Sequence, residues 1–464
     1  MKQFLALYPN SSFNQRWFVF VIPLFLAFQV VNSQNPIVPN QGLNDPHIHI
    51  FNDTAYVYAS HDKSPNNTKF IMEDWWVWSS PDLVNWSLKS VLKPEDTYIG
   101  KPFADCWATD VGFKNGKYYW YFSERNRQTG VVVGNSPTGP WKDPLGKPLL
   151  SSELTPTHEY DMSIYEENDE HYIIFGVWDY YIARLNEDMI SLAEEPKRIV
   201  ITNPRGPYNQ DGKNKEKPTD DKPSLHKYKG KYYLSWGCFY AMSDSLYGPY
   251  NYVDTVIKET SFAPGYEKPT WPNGFLQGRH GNFFTWNNQW YFTYCDISQT
   301  GNRYFRDAFI SYVHYKENGE IAPIRIDGIG VGRYEAHQGK IEAEDYFKAS
   351  AIVKKEINEN QFVVRTDGAI GNLCFPNIEG LEKAKKIRFS FINKEKGLFK
   401  IEVRTGNKNA KPIAIKQFSI ENDDNGKKQL SMSLPKMNSK EDIYFSLTPL
   451  GTGALYLDYF VFEY

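Results

Sequence analysis

Residues 44–51 of the chain read Asn-Asp-Pro-His-Ile-His-Ile-Phe, an acidic residue at the head of a short apolar strand. Residues 52–54, Asn-Asp-Thr, follow as a turn signal, and a second, aromatic strand begins near Tyr56. The stretch therefore predicts a β-hairpin that opens on Asp45. Because similar units return four more times along the chain, this hairpin decides the fold, and its head residue indicates the chemistry.

Five predicted hairpins share turn residues such as Asn and Gly and a polar residue at the head of the first strand. Each unit continues with further strand signals, which gives about four strands over roughly 60 residues and fits one blade of a propeller. A β-sandwich would also contain many short strands, but it would not repeat one head residue. The sequence predicts an all-β fold with a five-bladed β-propeller, whose head residues are Asp45, Asp110, Asp161, Asp221 and His280.

In a propeller the innermost strands line a central channel, so we expect the five head residues to gather at the axis. Charged groups that crowd together cost stability unless they are paired or used. Glycoside hydrolysis needs two carboxyl groups beside the scissile bond, and a third carboxyl can raise the pKa of the acid by repulsion. Asp45, Asp161 and Asp221 supply such a trio. The simpler alternative is that each Asp caps a turn.

Changes in composition and pattern along the chain predict its domain organisation. Residues 1–33 carry Lys2 and Arg16 before an apolar run that is short for a membrane span, which predicts a cleaved signal peptide. The last tryptophan is Trp290, and short alternating strands fill the C-terminal part. We therefore predict a signal peptide at 1–33, a propeller at 34–326, a linker at 327–339 and a jelly-roll β-sandwich at 340–464.

Composition narrows the function classes and the partners. The formal net charge is -3, and no cluster of Lys and Arg appears, which argues against nucleic acid. Aromatic residues make up 16% of the chain, and flat rings suit sugar faces as well as protein cores. The four cysteines lie far apart, without metal-ligand spacing, and are interpreted as buried thiols. We expect a secreted or periplasmic monomer that does not insert stably into a membrane.

The first domain resembles glycoside hydrolase family 43, whose members are five-bladed propellers that invert anomeric configuration. The resemblance rests on the order of several short motifs across residues 34–326. It implies that Asp45 is the catalytic base, that Asp161 modulates the pKa of the acid, and that His280 lies beside a metal ion, usually calcium, in the channel. The stretches that carry it are Asn44-Asp45-Pro46, Trp107-Ala108-Thr109-Asp110, Asp161-Met162-Ser163-Ile164, Gly278-Arg279-His280-Gly281 and Arg306-Asp307-Ala308.

The chain departs from the family pattern at the general acid, where family members carry Glu before Gly or Ala. Asp221 fills this slot because the turn glycine Gly230 follows it at the family interval. Repulsion by Asp161 is then expected to keep Asp221 protonated. Because Asp is shorter than Glu, the backbone must compensate or another group must donate the proton. His226 and Glu216 are the alternatives, whereas Asp220 is expected to point the other way on a strand.

The resemblance also implies contacts with the sugar and a role for the C-terminal domain. Arg306 matches a late arginine that reaches the substrate, and Trp107 and Trp76 are candidates for the sugar pocket, with core packing as the alternative for each tryptophan. The C-terminal domain resembles family 6 carbohydrate-binding modules at residues 341–344 and 457–460. In that family Glu342, Glu344 and Asp458 would match a structural calcium site. The usual sugar-binding Trp is absent, so a scaffold role is equally consistent.

Together these features predict a secreted, inverting exo-glycosidase that hydrolyses O-glycosidic bonds in polysaccharide side chains. The range of the family makes an α-L-arabinofuranoside the best candidate substrate, with a β-xyloside or a galactofuranoside as close alternatives. A rival from another class is a carbohydrate-binding propeller without catalysis, which the Asp at position 221 would favour. No organic cofactor is expected, and a structural calcium ion is implied for the channel, the C-terminal domain or both.

Overall fold

The computed structural model of the chain describes residues 34–211, 213–267, 271–368, 370–392, 395–421 and 427–464. The predicted signal peptide lies outside the described residues. Strands dominate the described chain, and its helices are four single 3-10 turns at Pro94–Asp96, Glu259–Ser261, Ala343–Asp345 and Leu381–Lys383. No helix in the described part is long and apolar enough to cross a membrane.

The first domain consists of five sheets, numbered here as blades 1 to 5 in chain order, each starting with its inner strand. Blade 1 contains Leu43–Phe51, Thr54–Asp62, Met72–Ser80 and Ser87–Leu92; blade 2 contains Cys106–Lys114, Lys117–Glu124 and Gln128–Gly134; blade 3 contains Ser163–Glu167, Glu170–Val177, Asp179–Arg184 and Lys197–Arg198; blade 4 contains Pro223–Tyr228, Lys231–Trp236, Phe239–Ser243, Tyr250–Thr255 and Ile201–Thr202; blade 5 contains Gly281–Trp286, Gln289–Asp296 and Asp307–Val313.

The inner hairpin of every blade closes through a two-residue turn, as the sequence predicted. Both turn residues have positive φ, for example 51° at Asn115 and 75° at Gly116. This geometry matches the right-handed twist of the two strands and favours Asn, Asp and Gly. The strand ends that flank the turns are paired as Phe51 with Thr54, Lys114 with Lys117, Glu167 with Glu170, Tyr228 with Lys231 and Trp286 with Gln289.

The inner strands of the five blades contact one another in a closed ring, which confirms the five-bladed propeller. The start of the described chain closes the ring, because it lies along the outer strand of blade 5. The Asn35 side chain exchanges hydrogen bonds with the backbone of Ile310, at 2.9 and 3.0 Å. The backbone N–H of Ile37 donates to the carbonyl of Ala308 at 2.9 Å. First and last segments thus complete one blade together.

The C-terminal domain is a sandwich of two sheets around an apolar core. Tyr334–Glu335, within the predicted linker, already pairs with one of these sheets. The first sheet contains Tyr334–Glu335, Lys348–Ser350, Gly371–Glu379, Gly397–Thr405, Ala414–Ile420 and Lys440–Pro449; the second contains Ile341–Glu342, Ile352–Asn358, Gln361–Thr366, Lys386–Ile392, Lys427–Ser433 and Tyr456–Glu463.

The sandwich is anchored to blade 5 of the propeller through a buried amide. The Gln289 side chain donates to the carbonyl oxygens of Glu344 and Tyr346, both at 2.8 Å. The Tyr346 hydroxyl in turn donates to the carbonyl of Asn288 at 2.7 Å.

The four cysteines of the chain are free and buried, as the sequence predicted.

Candidate active site

A cavity of about 170 Å³ opens at one end of the propeller axis. Aromatic rings and charged side chains line it together, which is the mixture that a sugar requires, with flat apolar faces and many hydroxyl groups. Three of the four predicted head carboxylates and the head histidine converge there. The lining includes Asp45, Asp161, Asp220, Asp221 and His280, together with Phe70, Trp107, Tyr208, Trp271, Arg303 and Arg306.

Left-handed backbone occurs near the heads of the inner strands of blades 1, 3 and 4. Asp45 has φ of 46°, Asp161 of 55° and Lys222 of 57°. In blade 1 the register shifts between Asn44 and His47, so a bulge places Asp45 outside the regular ladder. Such conformations are costly for residues with a β-carbon, and they concentrate at functional sites.

Asp45 is a buried carboxylate held by two cationic groups. Its Oδ1 lies 3.1 Å from His280 Nδ1 and 3.7 Å from Arg306 Nη1. Burial alone would raise the pKa of Asp45, but Arg306 and His280 together lower it far below its ordinary value. Asp45 therefore stays ionised over the whole range in which proteins work, as a general base must.

His280 connects Asp45 to the acidic pair of blade 4. Its Nε2 lies 2.7 Å from Asp221 Oδ1 and 3.5 Å from Asp220 Oδ2. Burial acts to lower the pKa of His280, but the surrounding carboxylates, Asp221 foremost, raise it well above its ordinary value. The imidazole therefore lies between the carboxyl groups of Asp45 and Asp221 and contacts both.

The pKa values of Asp161 and Asp221 are shifted in the opposite way to the prediction. Burial, reinforced by the charges of Asp221 and Asp45, raises the pKa of Asp161 well above its ordinary value. Burial also acts to raise the pKa of Asp221, but His280 lowers it below 3.8 overall. Because the imidazolium stabilises the Asp221 anion, the two pKa shifts favour a proton on Asp161 over one on Asp221.

The expectation that Asp220 points away from the site is wrong. Both Asp220 and Asp221 line the cavity, and both face His280 Nε2. The inner strand of blade 4 begins only at Pro223, so the alternation of a strand does not extend to these residues. Burial and the neighbouring Asp221 charge raise the pKa of Asp220. The consecutive Asp residues just before a strand were the available signal.

Neither alternative proton donor reaches the cavity. His226 is buried among aromatic rings, stacks on Tyr233 and Phe283, and pairs with the Tyr315 hydroxyl at 2.8 Å. Burial lowers the pKa of His226 to about 3, so it is a neutral imidazole at working pH and cannot act as an imidazolium acid. Glu216 is exposed and does not line the cavity.

The predicted sugar contacts divide into two that line the cavity and one that does not. Trp107 and Arg306 line it, and the Arg306 guanidinium is fixed by two 2.9 Å hydrogen bonds to Asp62. Trp76 instead stacks on His61 with 3.7 Å between the ring centroids, on the outer part of blade 1. Trp76 is therefore no longer a candidate. Tyr208, Trp271 and Arg303 were missed, since they lie in connections outside the repeat.

Asp110 lies on the axis but outside the catalytic cavity. With His47 and His49 it lines a second cavity, and it accepts from His47 Nδ1 at 3.0 Å and His49 Nε2 at 2.6 Å. Asp110 sits in the middle of its inner strand, whereas Asp45 and Asp161 sit at strand heads. This difference in depth explains why one repeat position produces two environments.

Two groups of side chains in the described chain bring at least three possible metal-binding atoms within 4.8 Å of one another: His47, His49 and Asp110, and Asp220, Asp221 and His280. His280 fits calcium poorly, because both ring nitrogens face carboxylates and calcium prefers oxygen ligands. In the C-terminal domain, Glu342, Glu344 and Asp458 are close enough to interact electrostatically. Burial, with Asp345 and Asp458, raises the pKa of Glu342 to about 7. These three side chains form no such convergent group.

Comparison with known proteins identifies relatives of the first domain. A sequence model of Glycosyl hydrolases family 43 matches residues 33–321. A xylosidase/arabinosidase from Bacteroides ovatus is 27% identical over 342 residues, covering 62% of this chain and 96% of its own length. A β-D-galactofuranosidase from Aspergillus niger is 26% identical over 325 residues, covering 64% of this chain and 86% of its own length.

A solved structure extends the similarity in fold to the C-terminal domain. The crystal structure of a family 43 arabinoxylan arabinofuranohydrolase from Bacillus subtilis, in complex with cellotetraose, covers 93% of this chain and 98% of its own. The TM-score is 0.52 and the sequence identity is 21%. At this identity the comparison establishes a common architecture and leaves the specificity of the chain open.

Proposed function

Because the chain belongs to glycosyl hydrolases family 43, a family of inverting glycoside hydrolases, we propose that it is a secreted exo-glycosidase that removes side chains of plant polysaccharides. The proposal rests above all on one arrangement, in which His280 bridges Asp45 and Asp221 at the end of a small cavity. A cavity of about 170 Å³ suits one terminal sugar unit better than the middle of a long chain. This favours exo action.

We assign the chemical roles as follows. Asp45 accepts a proton from a water molecule, whose oxygen attacks the anomeric carbon from the face opposite the leaving group. The glycosidic C–O bond breaks, and Asp221 transfers a proton to the departing oxygen. Asp161 holds this proton in the free enzyme. Substrate that draws Asp221 away from His280 removes the stabilisation of the Asp221 anion, so the proton moves to Asp221.

The best candidate substrate is an α-L-arabinofuranoside, with a β-D-xyloside or a galactofuranoside as alternatives. The names of the relatives, a xylosidase/arabinosidase and a galactofuranosidase, support this range. Within the cavity, Trp107 offers a flat ring to the sugar, and Arg306, held rigidly by Asp62, offers its remaining N–H groups. These two residues are proposed to orient the terminal sugar over Asp45.

The test is a screen of nitrophenyl glycosides, with Asp45→Asn protein as the matched control. We expect release of nitrophenol from one of α-L-arabinofuranoside, β-D-xylopyranoside or β-D-galactofuranoside, with kcat/KM separating the three, and little release by the control. Binding of oligosaccharides by calorimetry without hydrolysis of any of them would instead favour the non-catalytic propeller. Equal activity in the control would remove Asp45 from the mechanism.

For the remaining parts of the chain we propose a signal peptide at 1–33, a propeller at 34–326, a linker at 327–339 and a C-terminal module at 340–464 that resembles carbohydrate-binding modules, in a protein exported as a monomer. Glu342, Glu344 and Asp458 would hold structural calcium there. A buried carboxylate oxygen of Glu344 without a hydrogen-bond partner supports a cation at this position. The test compares the effect of added calcium on the melting temperature. We expect calcium to raise it in the unmutated protein and not in Glu344→Gln.

A further inference from the structure

Lys222 is a fully buried lysine beside the active site, and neither the general acid nor the base role uses it. It follows Asp221 directly, and its residue exposure is 0%. Its Nζ donates to the carbonyl oxygens of Thr109 at 3.1 Å and Met162 at 2.6 Å. These carbonyls belong to the inner-strand segments of blades 2 and 3. The ammonium group of Lys222 therefore connects blade 4 with two other blades.

The backbone at Lys222 indicates that the side chain itself is needed. Its φ of 57° lies in the left-handed region, which a glycine would adopt without steric cost. A residue with a β-carbon persists in this conformation only when the surroundings fix it. Here the two carbonyl acceptors fix the far end of the side chain. The sequence thus keeps a lysine where the backbone alone would favour glycine.

The surroundings of the Lys222 ammonium group are rich in oxygen and negative charge. Four carboxylates from four blades attract it, Asp110 most strongly and then Asp161, Asp45 and Asp221. Burial acts in the other direction and lowers the pKa of Lys222 below its ordinary value. The other titratable or cationic groups that face these acids are His47 and His49 beside Asp110, Arg306 beside Asp45, and His280, which contacts Asp45, Asp220 and Asp221. Carbonyl and carboxylate oxygens are the ligands of a hard cation.

We propose that the ammonium group of Lys222 is the resident cation of the propeller axis, so that the chain itself supplies the positive charge that holds the catalytic carboxylates together. Lys222 is a positioning residue, because it acts through the backbone carbonyls of Thr109, which precedes Asp110, and Met162, which follows Asp161. The poor fit of His280 to calcium agrees with this assignment. The proposal rests on the proposed function only where activity is the readout.

The first test asks whether the propeller of the otherwise unaltered full-length protein needs a metal ion. Glu344→Gln protein is the background, since it removes the candidate calcium ligand of the C-terminal domain. After treatment with EDTA, we expect its melting temperature and its hydrolysis of nitrophenyl glycosides to be unchanged, with or without added calcium. Loss of activity or stability on EDTA treatment, with recovery on adding calcium, would overturn the proposal.

The second test removes the charge in the same background. We expect Lys222→Met to lower kcat at least about tenfold, while Lys114→Met, which removes another buried lysine that contacts Asp169 and Glu187 away from the cavity, retains activity. Lys222→Ala leaves the carbonyl oxygens of Thr109 and Met162 without their cation. We therefore expect calcium or ammonium ions to raise the melting temperature of this variant. Unchanged kcat in Lys222→Met, or no cation response in Lys222→Ala, would overturn the proposal.

These readouts separate the proposal from the function on which it builds. If no glycoside is hydrolysed by the unmutated protein, the proposed function fails, but the cation response of Lys222→Ala still decides the role of Lys222. If the Lys222 variants do not fold, the metal independence of the Glu344→Gln protein decides it.

Discussion

Two aspartates on the propeller axis, Asp45 and Asp110, are both buried and both strongly acidic, but they are bound very differently. Asp110 accepts hydrogen bonds from the backbone N–H groups of Ile164 at 2.7 Å and Val111 at 2.8 Å, in addition to His47 and His49. Among the described residues, no backbone N–H donates to the Asp45 carboxylate. Its contacts are with side chains, at 3.1 Å or more.

The comparison separates a structural from a reactive carboxylate. The four donors around Asp110 match the roughly four lone-pair sites of a carboxylate, so none remains for water or substrate. Asp45 keeps acceptor capacity on the side of the cavity, while Arg306 and His280 hold it ionised. A low pKa alone therefore does not mark a catalytic base. Unused acceptor capacity at a cavity does.

The largest expected difference between the two residues is in turnover. Asp45→Asn removes the proton acceptor but keeps the shape, so we expect kcat to fall by roughly 10²–10⁴-fold. In this variant Arg306 still pairs with Asp62, and His280 still pairs with Asp221. The free energy of unfolding, measured with denaturant, should therefore change little. Asp110→Asn should retain most of its activity at a temperature where it is folded. Similar losses of kcat in both variants would break the comparison.

The next effect concerns the proton donor at the same end of the axis. Asp221→Ala should lower kcat on natural glycosides by about 10²–10³-fold. It should largely spare dinitrophenyl glycosides, whose leaving groups need little protonation. Parallel measurements on Asp220→Ala serve as the control, because Asp220 also lines the cavity and has a raised pKa. The leaving-group dependence appearing in Asp220→Ala alone would transfer the donor role to that residue.

The repeat made the fold and most of the site predictable from sequence. Turn residues and aromatic strands recur in phase, so the blades and the heads Asp45, Asp161, Asp221 and His280 followed from local patterns. The repeat could not distinguish Asp110, because its depth depends on its position within the strand. Nor could it reveal Tyr208 or Trp271, since these residues reach the cavity from connections that differ between blades.

The protonation of the site was beyond the reach of sequence for a different reason. The prediction that Asp161 keeps Asp221 protonated considered only the repulsion between two acids. The structure adds His280, whose Nε2 contacts Asp221 and reverses the balance. Electrostatic preference depends on distances of a few ångströms between segments that lie far apart in the chain.

A smaller effect is expected on stability at the other end of the axis. Asp110→Asn replaces an acceptor of four hydrogen bonds by a side chain with one acceptor oxygen. Hydrogen bonds to charged groups contribute about 1.5–3 kcal/mol each, and Asn keeps some of them, so the free energy of unfolding should fall by about 2–3 kcal/mol. Urea titration at pH 7 measures it. Asp45→Asn is the matched variant, and a larger loss there would reverse the assignment of structural and reactive ends.

The smallest effect is a dependence of stability on pH that the far end contributes through His47. Burial lowers the pKa of His47 from 6.5 to about 4, against the attraction of Asp110. Between these two values the unfolded chain binds a proton that the native protein does not. Stability therefore falls as pH falls below 6.5, and most of this loss has occurred by about pH 4. One pH unit corresponds to at most about 1.4 kcal/mol, so the loss between pH 6.5 and 5 is at most about 2 kcal/mol. His47→Asn removes the titrating group, so its free energy of unfolding should depend less on pH over this interval than that of the unmutated protein. The same pH dependence in both proteins would mean that His47 is already protonated in the native state, and that Asp110, like Asp45, is held by a cation.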